Sequence, residues 1–294
     1  MINQPLITIV IPTYNRIEFV QQAIASVIAQ TYIHWELIIV DDGSYDGTAG
    51  TINSMNDSHI KVLQLKHSGN IAYLRNTGVK AGSGEWLAFL DSDDLWVPQK
   101  LEIQLNHLMR EGKQWGYGGF ELINNEMQPI PNRAGMYRPV SGWIAKEVLS
   151  TEASVNIGTL MIKRSLFEET GGFNENAELI FREDYELVIR LALKEESQAI
   201  PDILVRVREH GGRSTNAFQH GHDRTAIVYE RFLQTNPDKE LAKIARLRMA
   251  HEFAEGALKR IRERNYSEAT RRLWKAFLNG DRWRHLLSVI RRGI

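Results

Sequence analysis

Hydrophobic and polar residues follow two alternating patterns over the first hundred residues. Short continuous runs of β-branched and apolar residues predict buried strands, and apolar residues recurring every three or four positions predict helices. Asn15 is predicted to cap the first helix, with Glu18 three residues on as in a capping box. The predicted strands are 6–11, 36–40, 60–65 and 86–90, and the predicted helices are 17–28, a short segment after Gly47, 71–81 and a segment opened by Pro98.

This order of strands and helices predicts an α/β fold with a mostly parallel central sheet and helices on both faces. Ligands of such sheets bind at the carboxyl ends of the strands. Polar clusters follow three of the predicted strands, at 13–15, 41–42 and 91–94. We therefore expect these clusters to converge at one edge of the sheet.

The rest of the chain is less regular up to about residue 220 and helical beyond it. Prolines and glycines between 129 and 142 predict a long loop region. The stretch 250–278 resembles a helical hairpin, weakly similar to one tetratricopeptide-like unit. Further strands are predicted at 155–162 and 203–207, and a helix at 183–193.

Length, cysteine content and charge narrow the class of protein. With 294 residues, the chain has room for one large α/β domain and a small appendage. It has no cysteine, and we find neither a signal peptide nor an apolar run of ~20 residues, so a cytoplasmic protein is expected. Residues 241–294 carry 14 Lys and Arg against 5 Asp and Glu, whereas the rest carries 22 against 31. An acidic main body and a basic C-terminal region suggest that the two parts of the chain have different functions.

The acidic stretch after the fourth strand is the clearest candidate for chemistry. Asp91, Asp93 and Asp94 form a D-x-D with an adjoining carboxylate. Three carboxylates so close repel one another, and their oxygens suit a hard cation such as Mg²⁺ or Mn²⁺. The alternative is a solvated acidic turn, which would be favoured for an isolated D-x-D.

Five other residues offer ligand-binding or catalytic groups, each with a simpler structural explanation. Asp42 and Tyr14 could meet a nucleobase, or serve the turn and pack over the sheet edge. Glu183 and Asp184 could act as a general base, or simply favour the start of a helix. His210 could contact a metal or a diphosphate, with Arg213 and Ser214 assisting, although a lone loop histidine is more often neither.

Six segments are distinctive in their order along the chain: VIPTYNR (10–16), VDDGSYDGT (40–48), LRNTG (74–78), GEWLAFLDSDD (84–94), GGFNE (171–175) and REDYELVIRL (182–191). Their joint order resembles glycosyltransferase family 2 over roughly residues 5–216. The resemblance implies a GT-A fold and an enzyme that inverts the anomeric carbon while moving a sugar from a nucleotide-sugar, with a UDP-sugar expected, to an acceptor hydroxyl.

The resemblance also implies roles for single residues. It places Thr13, Tyr14 and Asp42 in the base pocket with Asp41 close by, and Arg75 near the base and diphosphate. For the divalent cation it implies Asp91 and Asp93, with Asp93 preferred, Asp94 as its rival, and His210 as a further metal or phosphate contact. Asp184 matches the catalytic base, with Glu183 beside it. The stretch HSGNIAYLR departs from the family's pattern before the arginine.

The basic tail has two interpretations of equal weight. Trp283, Leu286, Leu287 and Ile290 follow helical spacing and are flanked by arginines. Such a helix binds a membrane surface peripherally, which would place the protein at the inner face of the membrane, or it docks on the catalytic domain. We predict domains at 1–220, with nucleotide-binding and acceptor halves at 1–110 and 111–220, and a helical region at 221–294.

The predicted partners are a nucleotide-sugar and a glycan or lipid-linked glycan acceptor, with no nucleic acid, and an oligomer is compatible with the sequence. Two rival functions remain at this stage. A non-catalytic sugar-nucleotide-binding protein could use the same fold. A sugar nucleotidyltransferase would instead be expected to show a glycine-rich basic phosphate loop where IPTYNR stands.

Overall fold

The computed structural model describes residues 4–55, 57–134, 138–210 and 221–280. Within these ranges the chain forms nine strands and ten α-helices. The strands are β1 Ile7–Thr13, β2 Trp35–Asp41, β3 Ile60–Gln64, β4 Trp86–Phe89, β5 Leu95–Trp96, β6 Trp115–Ile123, β7 Pro129–Ala134, β8 Met161–Lys163 and β9 Gln198–Arg208. The helices are α1 Ile17–Ile28, α2 Thr48–Asn53, α3 Ile71–Ala81, α4 Lys100–Arg110, α5 Ala145–Ser150, α6 Arg164–Glu169, α7 Glu183–Lys194, α8 Gly221–Gln234, α9 Lys239–Arg262 and α10 Tyr266–Asn279.

All nine strands belong to one sheet, which confirms the predicted α/β class. The strand order is β3-β2-β1-β4-β8-β6-β9-β5, and β7, outside this order, pairs with β6. The four longest pairings, β1 with β2 and β4, β2 with β3, and β6 with β9, are parallel. The short strand β8 runs antiparallel to both β4 and β6 and so joins the two parallel parts.

Helices cover both faces of the sheet, as the sequence predicts. The odd-numbered residues of β1, Ile7, Ile9 and Ile11, belong to a buried core with apolar residues of α1 and α4. On the opposite face α3 lies against β1 and β2 at Gly78, and Phe89 of β4 packs against Phe167. These two hydrophobic layers remove both faces of the strands from water, which accounts for their continuous apolar sequences.

The described residues fall into two compact units. One comprises 1–144, 153–175 and 183–211 and contains the sheet. The other comprises 145–152, 176–182 and 212–294 and contains α5, α8, α9 and α10. In the second unit α9 and α10 form the predicted helical hairpin. The domain boundary near residue 220 stays a prediction. Among the described helices, none is long and apolar enough to cross a membrane.

Local hydrogen bonding overrides two of the sequence predictions. Asn15 does not cap α1, because its backbone is left-handed (φ 48°) and its side chain accepts from Tyr45 N at 2.9 Å. Asp46 instead accepts from Ile17 N, the first amide of the helix. The strand predicted at 155–162 is wrong, because Asn156 Oδ1 accepts from Gly158 N and starts a 3₁₀ turn at Ile157–Thr159 before β8.

The loop predicted at 129–142 contains β7, and β6 was not predicted at all. The strand predicted at 203–207 is longer, at Gln198–Arg208, and the helix after Pro98 begins two residues later, at Lys100. By contrast, the helices predicted at 17–28 and 71–81 have the observed bounds. Helical periodicity was therefore a better guide than isolated apolar runs.

The close approach of α3 to the sheet yields a stability prediction. A Cβ on Gly78 would lie 2.4 Å from Val10 Cγ1 and 3.2 Å from Val40 Cγ2, inside van der Waals contact. We therefore expect Gly78→Ala to lower the free energy of unfolding by about 1–3 kcal/mol, as overpacking does. Urea denaturation followed by circular dichroism measures this change.

Gly50→Ala is the matched control for this prediction. Gly50 lies in α2 and has no atom within 4 Å of an added Cβ, so alanine should stabilise the protein by roughly 0.5–1 kcal/mol. Equal stability of the two variants would contradict the close packing of α3 on β1.

Candidate active site

The polar clusters that follow β1, β2 and β4 meet at one edge of the sheet, as predicted. Thr13 and Asp41 are partners in the parallel register of β1 and β2, and Asp42 N donates to Thr13 O at 2.9 Å. Leu90, the residue before the acidic stretch, donates its N–H to Val10 O at 3.1 Å. The carboxyl ends of the three strands therefore form one edge, which we call the acidic edge.

Asp91, Asp93 and Asp94 bring one carboxylate oxygen each within 4.8 Å of the others. They are the one group of this kind in the part of the chain that the structure describes. Three oxygen donors at this spacing fit a hard divalent cation, which accepts carboxylate ligands. The donor set is therefore chemically suited to Mg²⁺ or Mn²⁺.

Two basic side chains contact the central carboxylate of this group. Arg16, directly before α1, forms an ion pair with Asp93 Oδ2, and His210 Nε2 lies 3.0 Å from the same oxygen. Burial opposes ionisation of Asp93, but Arg16 and His210 outweigh it and hold the pKa of Asp93 below its ordinary value. The carboxylate therefore stays charged and available as a ligand near neutral pH.

Arg208, at the end of β9, fixes the backbone of the same acidic loop. Its side chain is fully buried, its N–H donates to Asp94 Oδ1 at 2.9 Å, and its Nε donates to Asp93 O at 3.0 Å. The other guanidinium nitrogens donate to Gln22 Oε1 at 2.6 Å and Asn125 O at 2.8 Å. One arginine thus joins the acidic loop to α1 and to the end of β6.

Arg75, on α3, links the acidic loop to α7. Its Nη2 donates to Asp91 Oδ1 at 2.7 Å, and its Nη1 donates to Glu183 Oε1 at 2.6 Å. The guanidinium is only 2% exposed, and it lies over the ring of Phe173 at 5.4 Å. Although burial works against the charge, Asp91 and Glu183 raise the pKa of Arg75 above its ordinary value, so the arginine remains a cation.

The two carboxylates that begin α7 have different surroundings. Glu183 is 2% exposed, and burial raises its pKa to about 7 even though it pairs with Arg75. Asp184 is partly exposed, and its Oδ1 accepts from Tyr185 N at 2.7 Å. Burial, and to a smaller extent the charge of Asp184, raise the pKa values of both Asp91 and Glu183. Asp184 is therefore the carboxylate that an incoming molecule can reach.

Asp42 holds the loop that follows β3. Its Oδ1 accepts from Ser68 N at 2.8 Å and Ser68 Oγ at 2.9 Å, and its Oδ2 accepts from Gly69 N at 2.9 Å. His67 Nδ1 lies 2.9 Å from Oδ2 as well. Because these four donors use the carboxylate's acceptor sites, a nucleobase that binds Asp42 has to displace one of them. Of these donors, the half-exposed side chain of His67 is the one that a ligand displaces most easily.

An aromatic pair lies beside this loop. The rings of Tyr14 and His67 stack with centroids 4.1 Å apart, and the exposed ring of Tyr45 meets Tyr14 edge-on at 6.3 Å. Thr13 is buried, and its hydroxyl has no hydrogen-bond partner within the described chain. Asp41, also buried, accepts from the hydroxyl of Ser44. The edge thus offers aromatic faces beside a strongly acidic group.

All the predicted site residues that the structure describes lie in the first compact unit. Arg213 and Ser214, which were also predicted, lie outside the described residues. Their roles stay predictions. Sequence reasoning missed Arg16, Arg208 and the stacking partner His67. Each had a signal in the sequence. Arg16 ends the segment VIPTYNR, Arg208 lies at a strand end two residues before His210, and His67 begins HSGN, where the chain departs from the family's pattern.

Comparison with known proteins gives a consistent set of similarities. The family described as glycosyl transferase family 2 matches residues 8–171. One relative is the Escherichia coli protein named UDP-Glc:alpha-D-GlcNAc-diphosphoundecaprenol beta-1,3-glucosyltransferase WfgD. It is 41% identical over 120 residues, which cover 41% of this chain and 47% of WfgD. The chain spans about a third to a half of the length of the first curated relatives that it matches.

Two solved structures share the fold. The Staphylococcus aureus TarS 1–349 complex with UDP-GlcNAc has a TM-score of 0.68 and 18% identity, covering 92% of this chain and 79% of TarS. The mannosyltransferase PcManGT from Pyrobaculum calidifontis, in complex with GDP-Man and Mn²⁺, has a TM-score of 0.61 and 17% identity, covering 99% of this chain and 80% of PcManGT. At these identities the likeness concerns the fold.

The position of Arg208 yields a prediction about the acidic loop. Arg208→Met leaves the carbonyl groups and Gln22 without their donor in a buried place, so we expect a loss on the order of 2–4 kcal/mol in the free energy of unfolding. Because the acidic loop loses its support, the affinity for Mn²⁺ should fall as well. Denaturation and Mn²⁺ titration by calorimetry measure the two effects.

Arg206→Met provides the matched control on the same strand. Arg206 is half-exposed and pairs with Glu121 at 2.7 Å at the surface, where such pairs contribute about 0–1 kcal/mol. If Arg208→Met lost no more stability than Arg206→Met and bound Mn²⁺ like wild type, the supporting role of Arg208 would be refuted.

Proposed function

The chain belongs to glycosyltransferase family 2, and on that premise we propose that it transfers a sugar from a UDP-sugar to the hydroxyl of a cell-envelope glycan with inversion at the anomeric carbon. Its GT-A fold is that of known glycosyltransferases. One observation supports the proposal most directly. A carboxylate group suited to a divalent cation is joined through a single buried guanidinium to the helix that presents Asp184.

The acidic edge supplies the donor's side of the reaction in this proposal. The nucleobase lies near Tyr14 and the loop held by Asp42, where His67 now stacks and hydrogen-bonds. The fold itself is compatible with different nucleotides, since TarS is described with UDP-GlcNAc and PcManGT with GDP-Man. We choose a UDP-sugar because the 41% identical relative is named for UDP-Glc.

The oxygen ligands of the acidic loop would hold the divalent cation, Mn²⁺ or Mg²⁺. We propose Asp93 as the main ligand, with Asp91, Asp94 and His210 around it, because Asp93 has its charge maintained by two basic neighbours. When bound there, the cation would neutralise charge on the donor's diphosphate. Arg16, which contacts Asp93, is close enough to add a second positive group on the same side.

Asp184 is proposed as the general base. It takes the proton of the acceptor hydroxyl while that oxygen forms a bond to the anomeric carbon, and the bond from this carbon to the diphosphate oxygen breaks. The electron pair leaves with UDP, and attack from the opposite face inverts the anomeric centre. Glu183 is less suited to this step, because it is buried and its Oε1 pairs with Arg75.

The acceptor in this proposal is a lipid-linked glycan, as the printed name of WfgD describes for that protein. An enzyme with such an acceptor would work at the cytoplasmic face of the membrane. The amphipathic stripe Trp283, Leu286, Leu287 and Ile290 would bind there peripherally, although it lies outside the described residues.

The assignment of the base can be tested by separating the two carboxylates of α7. Asp184→Asn should lower kcat by about 10²–10⁴-fold while leaving the affinity for UDP unchanged, because it removes a positioned base and no donor contact. A panel of UDP-, GDP- and dTDP-sugars with a lipid-linked glycan acceptor, scored by release of nucleotide, gives kcat, and calorimetry gives the affinity.

Glu183→Gln is the matched comparison for Asp184→Asn. It keeps a hydrogen-bond acceptor for Arg75 but removes the charge, so it should affect donor binding and stability more than proton transfer. A wild-type rate for Asp184→Asn together with an inactive Glu183→Gln would transfer the role of base to Glu183. Failure of every donor to turn over would refute the proposed reaction.

The metal assignment predicts a second, separable loss. Asp93→Asn should bind Mn²⁺ at least tenfold more weakly and lose nearly all transfer. Its thermal unfolding should stay close to that of wild type, because asparagine has the same size and keeps an oxygen acceptor for Arg16 and His210. Calorimetric titration with Mn²⁺ measures the affinity. If only Asp94→Asn loses Mn²⁺ affinity, Asp94 is the principal ligand instead.

A further inference from the structure

Helix α10 has a packed face and an exposed face in the helical unit. Ala269, Arg272 and Ala276 are buried and lie against α9. Arg272 is satisfied there, because it pairs with Asp223 and with Glu268. The packed face therefore already has its partner, and it leaves the opposite half of the helix turned away from α9.

Large apolar side chains occupy that opposite half. Tyr266, Trp274 and Leu278 are 62–63% exposed, and Trp274 stacks on Phe277 with centroids 5.6 Å apart. Trp274 and Leu278 are four residues apart, so they lie one above the other on the helix surface. We call Tyr266, Trp274 and Leu278 the outer stripe. A largely exposed tryptophan and leucine side by side are costly without a function or a partner.

The charges around the outer stripe are mainly positive. The exposed residues of α10 include the basic Arg271 and Lys275 and no carboxylate, since its Glu268 is partly buried in ion pairs with Arg271 and Arg272. Over the hairpin, residues 239–280 carry 11 Lys and Arg against 5 Asp and Glu. An exposed apolar stripe in a basic surround complements an anionic, partly apolar surface.

We propose that the outer stripe of α10 binds an anionic phospholipid bilayer, with Trp274 and Leu278 inserted at the level of the headgroups and Lys275 attracted to lipid phosphates. Tryptophan and tyrosine favour this region because one end of the ring system is apolar and the other polar. Basic residues on a neighbouring face add attraction to anionic lipids. The stripe consists of described residues and is separate from the segment 281–294.

A second copy of the chain fits this face less well than a bilayer. Aromatic side chains cover roughly 150–250 Å² each, so three partly exposed residues offer well below the ~800 Å² per partner of a stable interface. Two copies would also bring equally basic hairpins together, which costs free energy. A bilayer needs no large matching area, and its anionic headgroups compensate the charge.

The test uses the full chain and vesicles of phosphatidylcholine with and without 30% phosphatidylglycerol. Wild type should sediment with the anionic vesicles at low salt. The double variant Trp274→Ala/Leu278→Ala should bind them at least tenfold more weakly. Lys275→Gln should weaken binding about fivefold at low salt and have little effect at high salt, as expected of one basic residue at the surface.

Trp143→Ala is the matched control. Trp143 is 61% exposed, like Trp274, but it belongs to the other compact unit, so its loss should leave vesicle binding unchanged. Equal losses in both tryptophan variants would mean unspecific adhesion and overturn the proposal. Unchanged binding of Trp274→Ala/Leu278→Ala would overturn it as well.

Two further measurements distinguish other occupants of the outer stripe. A lower melting temperature of Trp274→Ala/Leu278→Ala with unchanged vesicle binding would mean that the stripe packs against the chain itself. Concentration-dependent self-association of wild type that this variant abolishes would mean an interface between copies, and either result overturns the proposal. Release of nucleotide in solution is measured in parallel, so failure of the proposed transferase reaction and failure of membrane binding are seen separately.

Discussion

The buried guanidinium of Arg75 holds two carboxylates that lie about a hundred residues apart in the chain. Asp91 lies in the loop after β4 and Glu183 begins α7, and each accepts a hydrogen bond from a different nitrogen of the same side chain. Removing one partner from such a buried group would leave an uncompensated charge, which costs several kcal/mol. The geometry of the acidic loop relative to Asp184 therefore depends on Arg75.

The same compensation recurs around the acidic edge and explains how so many carboxylates can be held there. Arg16 and His210 contact Asp93, and Arg208 supports Asp93 and Asp94 through backbone and side-chain donors. Arg16 lies in the loop before α1, Arg208 lies at the end of β9, and His210 lies two residues beyond it. Topology brings them together, since β9 runs antiparallel to β5 and pairs Arg206 with Leu95, directly after the acidic loop.

The edge itself was predictable from the sequence, and the compensating groups were not. Parallel strands ending in polar clusters must place those clusters together, so the positions of Asp42 and Asp91 followed from periodicity alone. The location of Arg208 depends instead on a pairing between β9 and β5 across more than a hundred residues. No local pattern encodes such a pairing, and β6, which supports it, was missed for the same reason.

Local predictions failed where a side chain had two competing backbone partners. Asn15 had the right residue type for a helix cap, yet Tyr45 N offered it a donor across the edge, and Asp46 then served α1 in its place. By contrast, the oxygens of Asp42 accept from the loop at 67–69, and its predicted contact with a nucleobase stays a prediction. Asn and Asp satisfy either arrangement equally well, so tertiary contacts decide between them.

The two neighbouring carboxylates of α7 differ in burial, which suits Glu183 to a structural role and Asp184 to the proposed catalytic one. Burial raises the pKa of Glu183 to about 7, so the folded chain keeps a proton that the unfolded chain loses near its ordinary value of 4.5. The free energy of unfolding therefore falls as the pH rises from 4.5 to about 7, so the burial of Glu183 lowers stability at neutral pH. The compensating gain is the position of α7, which its ion pair with Arg75 fixes. Asp184, one residue on and partly exposed, does not take part in that ion pair, which leaves it available for the proposed role of base.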